Sequence, residues 1–88
     1  MLRYRKTKRF EKSYVICAKR NYDMRELKAI MKLLINEQPL PERCRNHKLK
    51  GTRYERWDCH IKGDWVLLYR YEKDTIIFED TGTHSDLF

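Results

Sequence analysis

The spacing of apolar residues changes once along this sequence, from a helical period to a strand period, and that change restricts the fold. In the first part the apolar residues recur at intervals of three and four, as on one face of a helix. From Tyr54 onward they alternate with polar residues, as along a half-buried strand. Pro39-Leu40-Pro41 ends the helical part, because a residue before proline disfavours helical conformation. Helices and strands are therefore mostly segregated, which predicts the α+β class.

Capping residues and turns indicate where the first elements begin and end. After a short edge strand over residues 1–6, a helix is predicted from about Thr7 to the break at Asn21-Tyr22. A second helix opens at Asp23, with Glu26 at capping-box spacing. The two apolar faces are Phe10, Tyr14, Cys17 and Ala18, then Leu27, Ile30, Met31, Leu34 and Ile35. The short turn between the helices indicates a helical hairpin.

Three strands follow, separated by tight turns. They are predicted over 54–61, 65–72 and 75–80, and the turns are Lys62-Gly63-Asp64 and Lys73-Asp74. In the first of these strands Asp58 and His60 share one face, whereas Cys59 and Ile61 share the other. The predicted order is β-α-α-β-β-β, with the helical hairpin packed on one face of a small, mostly antiparallel sheet.

The size and charge of the chain limit its partners. Its 88 residues leave room for one core, so we expect a single domain over residues 1–88. With 20 Lys+Arg against 13 Asp+Glu, the net charge of +7 points to an anionic partner. No apolar stretch is long enough for a membrane span, and no signal peptide is recognisable, so we expect a cytoplasmic protein with reduced thiols.

The basic residues lie in two clusters. The N-terminal cluster is Arg3, Arg5, Lys6, Lys8, Arg9 and Lys12; the second is Arg43, Arg45, Lys48, Lys50, Arg53 and Arg56. A solvated surface explains the first cluster equally well. The second is interleaved with His47, Tyr54 and Trp57. Single-stranded RNA needs cations for its phosphates and rings on which its bases stack, so the second cluster favours an RNA partner.

The three histidines, His47, His60 and His84, lie in the C-terminal half with Asp64. RNA cleavage by its own 2′-hydroxyl requires a group that takes a proton and one that gives a proton to the leaving oxygen. Two imidazoles, or an imidazole and a carboxylate, can do this without metal. The competing use is zinc binding by Cys44-x-x-His47 and Cys59-His60, but Cys59 and His60 point to opposite faces of one strand. No cysteine has an evident base partner for nucleophilic catalysis.

Four blocks of sequence, in order, resemble a known family. They are Leu40-Pro41, His47-Lys48-Leu49-Lys50-Gly51, Asp58-Cys59-His60-Ile61 with Asp64-Trp65, and the tail Thr81-Gly82-Thr83-His84-Ser85-Asp86-Leu87-Phe88. With this spacing over nearly its whole length, the chain resembles the YafQ branch of the RelE/ParE superfamily, toxins of type II toxin–antitoxin modules. The resemblance implies the RelE-like fold.

The resemblance also implies an activity. The chain would cleave mRNA in the ribosomal A site without metal or cofactor, leaving a 2′,3′-cyclic phosphate and a 5′-hydroxyl, and so inhibit translation. A cognate antitoxin with an acidic toxin-binding segment would neutralise it, and operator DNA would be bound only through that complex. The catalytic positions would be His47, His60, Asp64 and His84, and the substrate-binding ones Lys48, Lys50, Arg53, Arg56, Trp65 and Phe88. His84 would be the general acid and Asp64 or His60 the base, and His47 would contact phosphate or hold the scissile geometry.

One position departs from the family. Asp80 stands where the family often has an arginine, which would stabilise the transition-state charge. Two alternatives therefore stay open. The first is a non-catalytic module that keeps the fold for antitoxin and nucleic-acid binding; the second is a ParE-like gyrase inhibitor, which the histidine set disfavours.

Overall fold

A computed structural model describes residues 1–51 and 55–88. Five strands and three helices are present in these ranges, with a short 3-10 turn at Glu42–Cys44. The strands are β1 Arg3–Lys6, β2 His47–Lys48, β3 Trp57–Lys62, β4 Trp65–Glu72 and β5 Thr75–Thr83. The helices are α1 Lys8–Lys19, α2 Met24–Ile35 and α3 His84–Leu87. The α+β class is confirmed, and β2 and α3 are additional to the predicted order.

The strands form one sheet in the order β1-β5-β4-β3-β2. The pair β1–β5 is parallel and the other three pairs are antiparallel. The parallel pairing is possible because the connection from β1 to β5, which contains α1, α2 and the strands β2 to β4, is long enough for the crossover that parallel strands need. Strand β3 begins at Trp57 among the described residues, and Tyr54, where the sequence placed its start, lies outside them.

The helix starts follow the capping residues. Thr7 Oγ1 accepts a hydrogen bond from the Phe10 N–H and caps α1. Asp23 caps α2 through the Arg25 N–H. The capping box predicted with Glu26 is not seen: the buried Glu26 Oε2 has no hydrogen-bond partner among the described residues.

Both long helices pack on the same sheet face, which we call the core face. Phe10 from α1 and Leu27 and Ile30 from α2 join one buried cluster with residues of β3, β4 and β5. The strand residues of that cluster are Cys59, Ile61, Trp65, Leu67, Tyr69, Ile76 and Phe78. Burial of this apolar surface stabilises the sheet. The other face carries polar groups together with the buried Val66 and Leu68. No helix within the described ranges is long and apolar enough to cross a membrane.

Candidate active site

Strand β3 places Asp58 and His60 on the sheet face opposite the core. Cys59 and Ile61 are buried in the core cluster, and side chains alternate along a strand. We call the face that carries Asp58 and His60 the histidine face. His47 on β2 is paired with Asp58 across the ladder, and its ring centroid lies 6.5 Å from that of His60.

The tail brings a third imidazole to this face. Strand β5 ends at Thr83, and α3 begins at His84, whose ring centroid lies 5.2 Å from that of His60. The Phe88 ring lies 5.9 Å beyond His84. The rings of His47, His60, His84 and Phe88 thus form a continuous series, which we call the histidine row.

The turn between β3 and β4 supplies a carboxylate to the histidine row. Gly63 has φ +55°, a left-handed conformation that a tight hairpin turn requires and glycine adopts readily. The next residue, Asp64, accepts a hydrogen bond through Oδ1 from Nδ1 of His84. This hydrogen bond holds the pKa of Asp64 below its usual value. Asp64 is therefore ionised near neutral pH, and its carboxylate fixes the orientation of the His84 ring.

A second carboxylate, Asp58, lies between two imidazoles, and sequence reasoning did not select it. Its side chain is only 3% exposed, and its Oδ1 has no hydrogen-bond partner among the described residues. Oδ1 lies 3.8 Å from His60 Nε2, and Oδ2 lies 3.8 Å from His84 Nε2. The available signal was the alternation that places Asp58 on the same face as His60. A buried carboxylate without a full set of partners costs stability, which is typical of a functional site.

The same three residues can hold a metal ion. One ligand atom each from Asp58, His60 and His84 lies within 4.8 Å of the others, and imidazole with carboxylate suits zinc or copper. The Cys-His site weighed from the sequence is not formed, because Cys59 is buried on the core face, away from His60. Burial also raises the pKa of the Cys59 thiol, which disfavours a thiolate nucleophile.

The geometry agrees with that of a known family. Residues 2–88 match the family model described as a bacterial toxin of type II toxin–antitoxin system, YafQ. The chain belongs to the YafQ toxin family. The mRNA interferase toxin YafQ of Escherichia coli strain K12 is 40% identical over 80 residues, which cover 90% of this chain and 87% of that protein.

Solved structures of similar proteins have the same fold. The YafQ of an E. coli DinJ–YafQ complex superposes with a TM-score of 0.93 at 36% identity, covering 100% of this chain and 99% of that one. A metal-bound toxin from Helicobacter pylori superposes with a TM-score of 0.94 at 34% identity, covering 100% of both chains. The resemblance drawn from the sequence blocks is confirmed.

The basic residues predicted to bind RNA differ in their surroundings. Lys48 Nζ lies 2.7 Å from Glu55 Oε1, and Arg56 Nε lies 2.5 Å from Oε1 of the mostly buried Glu79. Lys50 is exposed, and Arg53 lies outside the described residues. The structure therefore pairs Lys48 and Arg56 with carboxylates, and each side chain keeps further N–H donors that could contact a phosphate.

Trp65 and Phe88, both predicted to position substrate, lie in different environments. Trp65 is only 5% exposed, packs on Tyr22 at 4.9 Å between ring centroids, and donates a hydrogen bond from Nε1 to Thr81 Oγ1. Its indole therefore offers little surface for a stacked base and supports the hairpin from the core face. Phe88 is 64% exposed at the end of the histidine row, where an aromatic ring is available to substrate.

Asp80 is held by helix α1. Its Oδ1 accepts hydrogen bonds from Ser13 Oγ at 2.5 Å and from the Thr81 N–H at 2.8 Å. Its Oδ2 lies 2.8 Å from Arg9 Nε. The sequence raised the possibility that this charge opposes the reaction at the scissile phosphate, but the observed partners give Asp80 a structural role between β5 and α1.

Proposed function

We propose that this chain is an mRNA endoribonuclease that acts in the ribosomal A site, inhibits translation and is neutralised by a cognate antitoxin. The observation that carries the proposal is the pair of imidazoles of His60 and His84, 5.2 Å apart, with two carboxylates against them. Cleavage by transfer to the 2′-hydroxyl needs two proton-transfer groups, and this pair provides both. The E. coli relatives named mRNA interferase toxin support the same reaction class.

The contacts favour one assignment of the proton roles. Asp64 is engaged with Nδ1 of His84, which leaves His60 as the base. His60 takes the proton of the 2′-hydroxyl, and the 2′-oxygen attacks phosphorus. The bond from phosphorus to the 5′-oxygen breaks as His84 gives its proton to that oxygen, so the products are a 2′,3′-cyclic phosphate and a 5′-hydroxyl. The Nε2 atoms of His60 and His84 each lie 3.8 Å from one carboxylate oxygen of Asp58. Asp58 therefore lies between the two proposed proton-transfer groups.

Substrate phosphates are proposed to contact His47 and the basic residues that the sequence selected. His47 is exposed on β2, and its Nδ1 is bonded to the Arg45 carbonyl at 2.8 Å, so Nε2 is directed away from that bond. His47 with Lys48, Lys50, Arg53 and Arg56 supplies positive charge to the RNA backbone and to the pentavalent intermediate. Phe88 offers its ring to a base beside the scissile phosphate, and Trp65 supports the turn from the core face.

The reaction is proposed to need no metal, even though Asp58, His60 and His84 can ligate one. A metal would coordinate the same imidazole nitrogens that transfer protons in this mechanism. A toxin from H. pylori that has the same fold at 34% identity was solved with metal bound, which supports the capacity of this fold to take an ion. On this reasoning a bound ion inhibits cleavage, and chelation leaves the activity intact or raises it.

The antitoxin is proposed to contact this +7 chain through an acidic segment, as charge complementarity requires. In E. coli the partner seen with YafQ is DinJ. Operator DNA would then be bound only by the toxin–antitoxin complex. Charge steering makes association faster at low salt, because exposed charges are screened within about 8 Å at physiological ionic strength.

The decisive experiment uses purified ribosomes carrying a defined mRNA. The native chain should produce cleaved mRNA with 2′,3′-cyclic phosphate ends in the presence of a chelator that is selective for transition metals and leaves the Mg²⁺ of the ribosome in place. A gyrase supercoiling assay with the same preparation should show no inhibition. A native chain that binds antitoxin but leaves mRNA intact supports the non-catalytic module. Inhibition of gyrase supports the ParE-like alternative.

A further inference from the structure

Helix α3 carries His84 but is too short to be stable on its own. It has four residues, and forming a single helical turn is unfavourable without additional contacts. The His84 ring reaches Asp64 and Asp58 only if the helix begins in one orientation after β5. The contacts that hold α3 therefore determine where the proposed general acid lies.

Asp86 makes most of these contacts. Its Oδ2 accepts a hydrogen bond from the Thr83 N–H at 2.9 Å, and its own N–H donates to Thr83 Oγ1 at 3.2 Å, which completes a capping box. Gly82 lies against the same side chain: a Cβ at that position would approach Asp86 Oδ2 to 2.9 Å. The turn from β5 into α3 is therefore closed tightly around one carboxylate.

Arg20, distant in sequence, holds the same carboxylate. Its Nη1 lies 2.7 Å from Asp86 Oδ2, and its Nη2 lies 3.3 Å from Oδ1, so the guanidinium contacts both oxygens. Arg20 follows α1, and its own N–H is bonded to the carbonyls of Ile16 and Cys17. A guanidinium at the end of the long helix α1 thus restrains the four-residue helix α3.

We infer that Arg20 is a positioning residue for the reaction: through Asp86 it fixes the start of α3 and so keeps His84 against Asp64 and Asp58. The inference rests on the proposed function for its catalytic consequence, but the position of His84 can be measured without it. Arg20 itself touches Asp86 rather than the histidine row, and Asp86 is the link between them.

Two kinds of measurement test the inference. Arg20→Ala should lower the rate of mRNA cleavage at saturating ribosome complex about tenfold and leave KM and antitoxin affinity nearly unchanged. Arg20→Lys keeps the charge but not the two-point contact and should recover part of the rate. The matched control is Arg9→Ala, which removes an arginine near the start of α1 that pairs with Asp80 and should stay within twofold of the native rate.

The second measurement is nuclear magnetic resonance of the histidine ring nitrogens in the free protein. Arg20→Ala should shift the His84 Nδ1 signal and weaken its hydrogen bond to Asp64, whereas Arg9→Ala should leave both unchanged. An unchanged His84 signal in Arg20→Ala overturns the inference, as does a change in KM alone, which would mean that Arg20 binds RNA directly. If the native chain does not cleave mRNA while His84 still shifts, the proposed function fails and the positioning role stands.

Discussion

The two faces of the sheet are built from alternate residues of the same strands, yet they satisfy opposite requirements. The core face packs apolar side chains such as Ile61 against α1 and α2. The histidine face carries His60 and a buried carboxylate, Asp58, whose Oδ1 lacks a hydrogen-bond partner among the described residues. Residues that stabilise the fold and residues proposed for the reaction thus alternate along β3. Substitutions of neighbouring residues should therefore affect either stability or cleavage, but not both.

The largest contrast is expected between two neighbours, His60 and Ile61. His60→Ala should lower mRNA cleavage by about 10²–10⁴-fold, the usual contribution of a general acid or base, at a nearly native melting temperature. Ile61→Ala should instead cost about 2–5 kcal/mol of unfolding free energy through the cavity it leaves, with the folded fraction still active. Cleavage on ribosomes and thermal unfolding of both variants measure the contrast.

His84→Ala serves as the parallel test on α3 and should resemble His60→Ala. If either histidine variant cleaves mRNA at the native rate, that histidine has no part in the mechanism. If His60→Ala loses as much unfolding free energy as Ile61→Ala, the histidine face also stabilises the fold, and the contrast between the two faces does not hold.

A second contrast concerns the two aspartates of the C-terminal part, Asp80 and Asp64. Asp64 is exposed and bonded to His84, whereas Asp80 is buried against α1. Asp80→Arg would leave Ser13 and the Thr81 N–H without their acceptor and place two arginines together, so we expect a loss of about 1–3 kcal/mol in unfolding free energy. Asp80→Asn, which keeps an acceptor oxygen, should lose less.

If position 80 instead acted at the scissile phosphate, Asp80→Arg would restore the family arginine and cleavage would be faster. Faster cleavage by a stably folded Asp80→Arg variant would contradict the structural role of Asp80 and would mean that position 80 acts in the active site. Chemical denaturation and single-turnover cleavage of the two Asp80 variants distinguish the outcomes.

These contrasts also show what could be predicted from the sequence. The helix starts at Thr7 and Asp23 and the opposite faces of Cys59 and His60 were predictable, because capping and strand alternation are local. Strand β2, with two residues, was not, because so short a strand forms only by pairing with β3. Helix α3 has a local capping signature, Thr83 with Asp86, but a helix of four residues also depends on the distant contact between Asp86 and Arg20. The family motif identified the histidines, but the role of Asp58 between them depends on the juxtaposition of β3 and α3.

A third prediction concerns Asp58, where stability and activity should move in opposite directions. Asp58→Asn removes a buried charge and should raise the unfolding free energy by up to about 1 kcal/mol, whereas cleavage falls about tenfold because the two imidazoles lose their shared carboxylate. The control is Asp74→Asn, on the exposed turn between β4 and β5, which should change neither. A variant that is destabilised and fully active would place Asp58 among the structural residues.

The smallest effect is expected from the carboxylate that holds α3. Arg20, by hydrogen bonding, holds the pKa of Asp86 well below its usual range, so the ionised form is favoured in the folded chain. A carboxyl whose pKa is lowered on folding contributes stability above its unfolded pKa, about 3.9, and loses it as the pH falls through the folded value. The difference in unfolding free energy between the native chain and Asp86→Asn should therefore be constant from pH 8 to about pH 5 and shrink only in stronger acid. Urea unfolding across this range measures it. A difference that shrinks near pH 6.5 instead would assign the linkage to a histidine, and the ion pair with Arg20 would then not be what restrains α3.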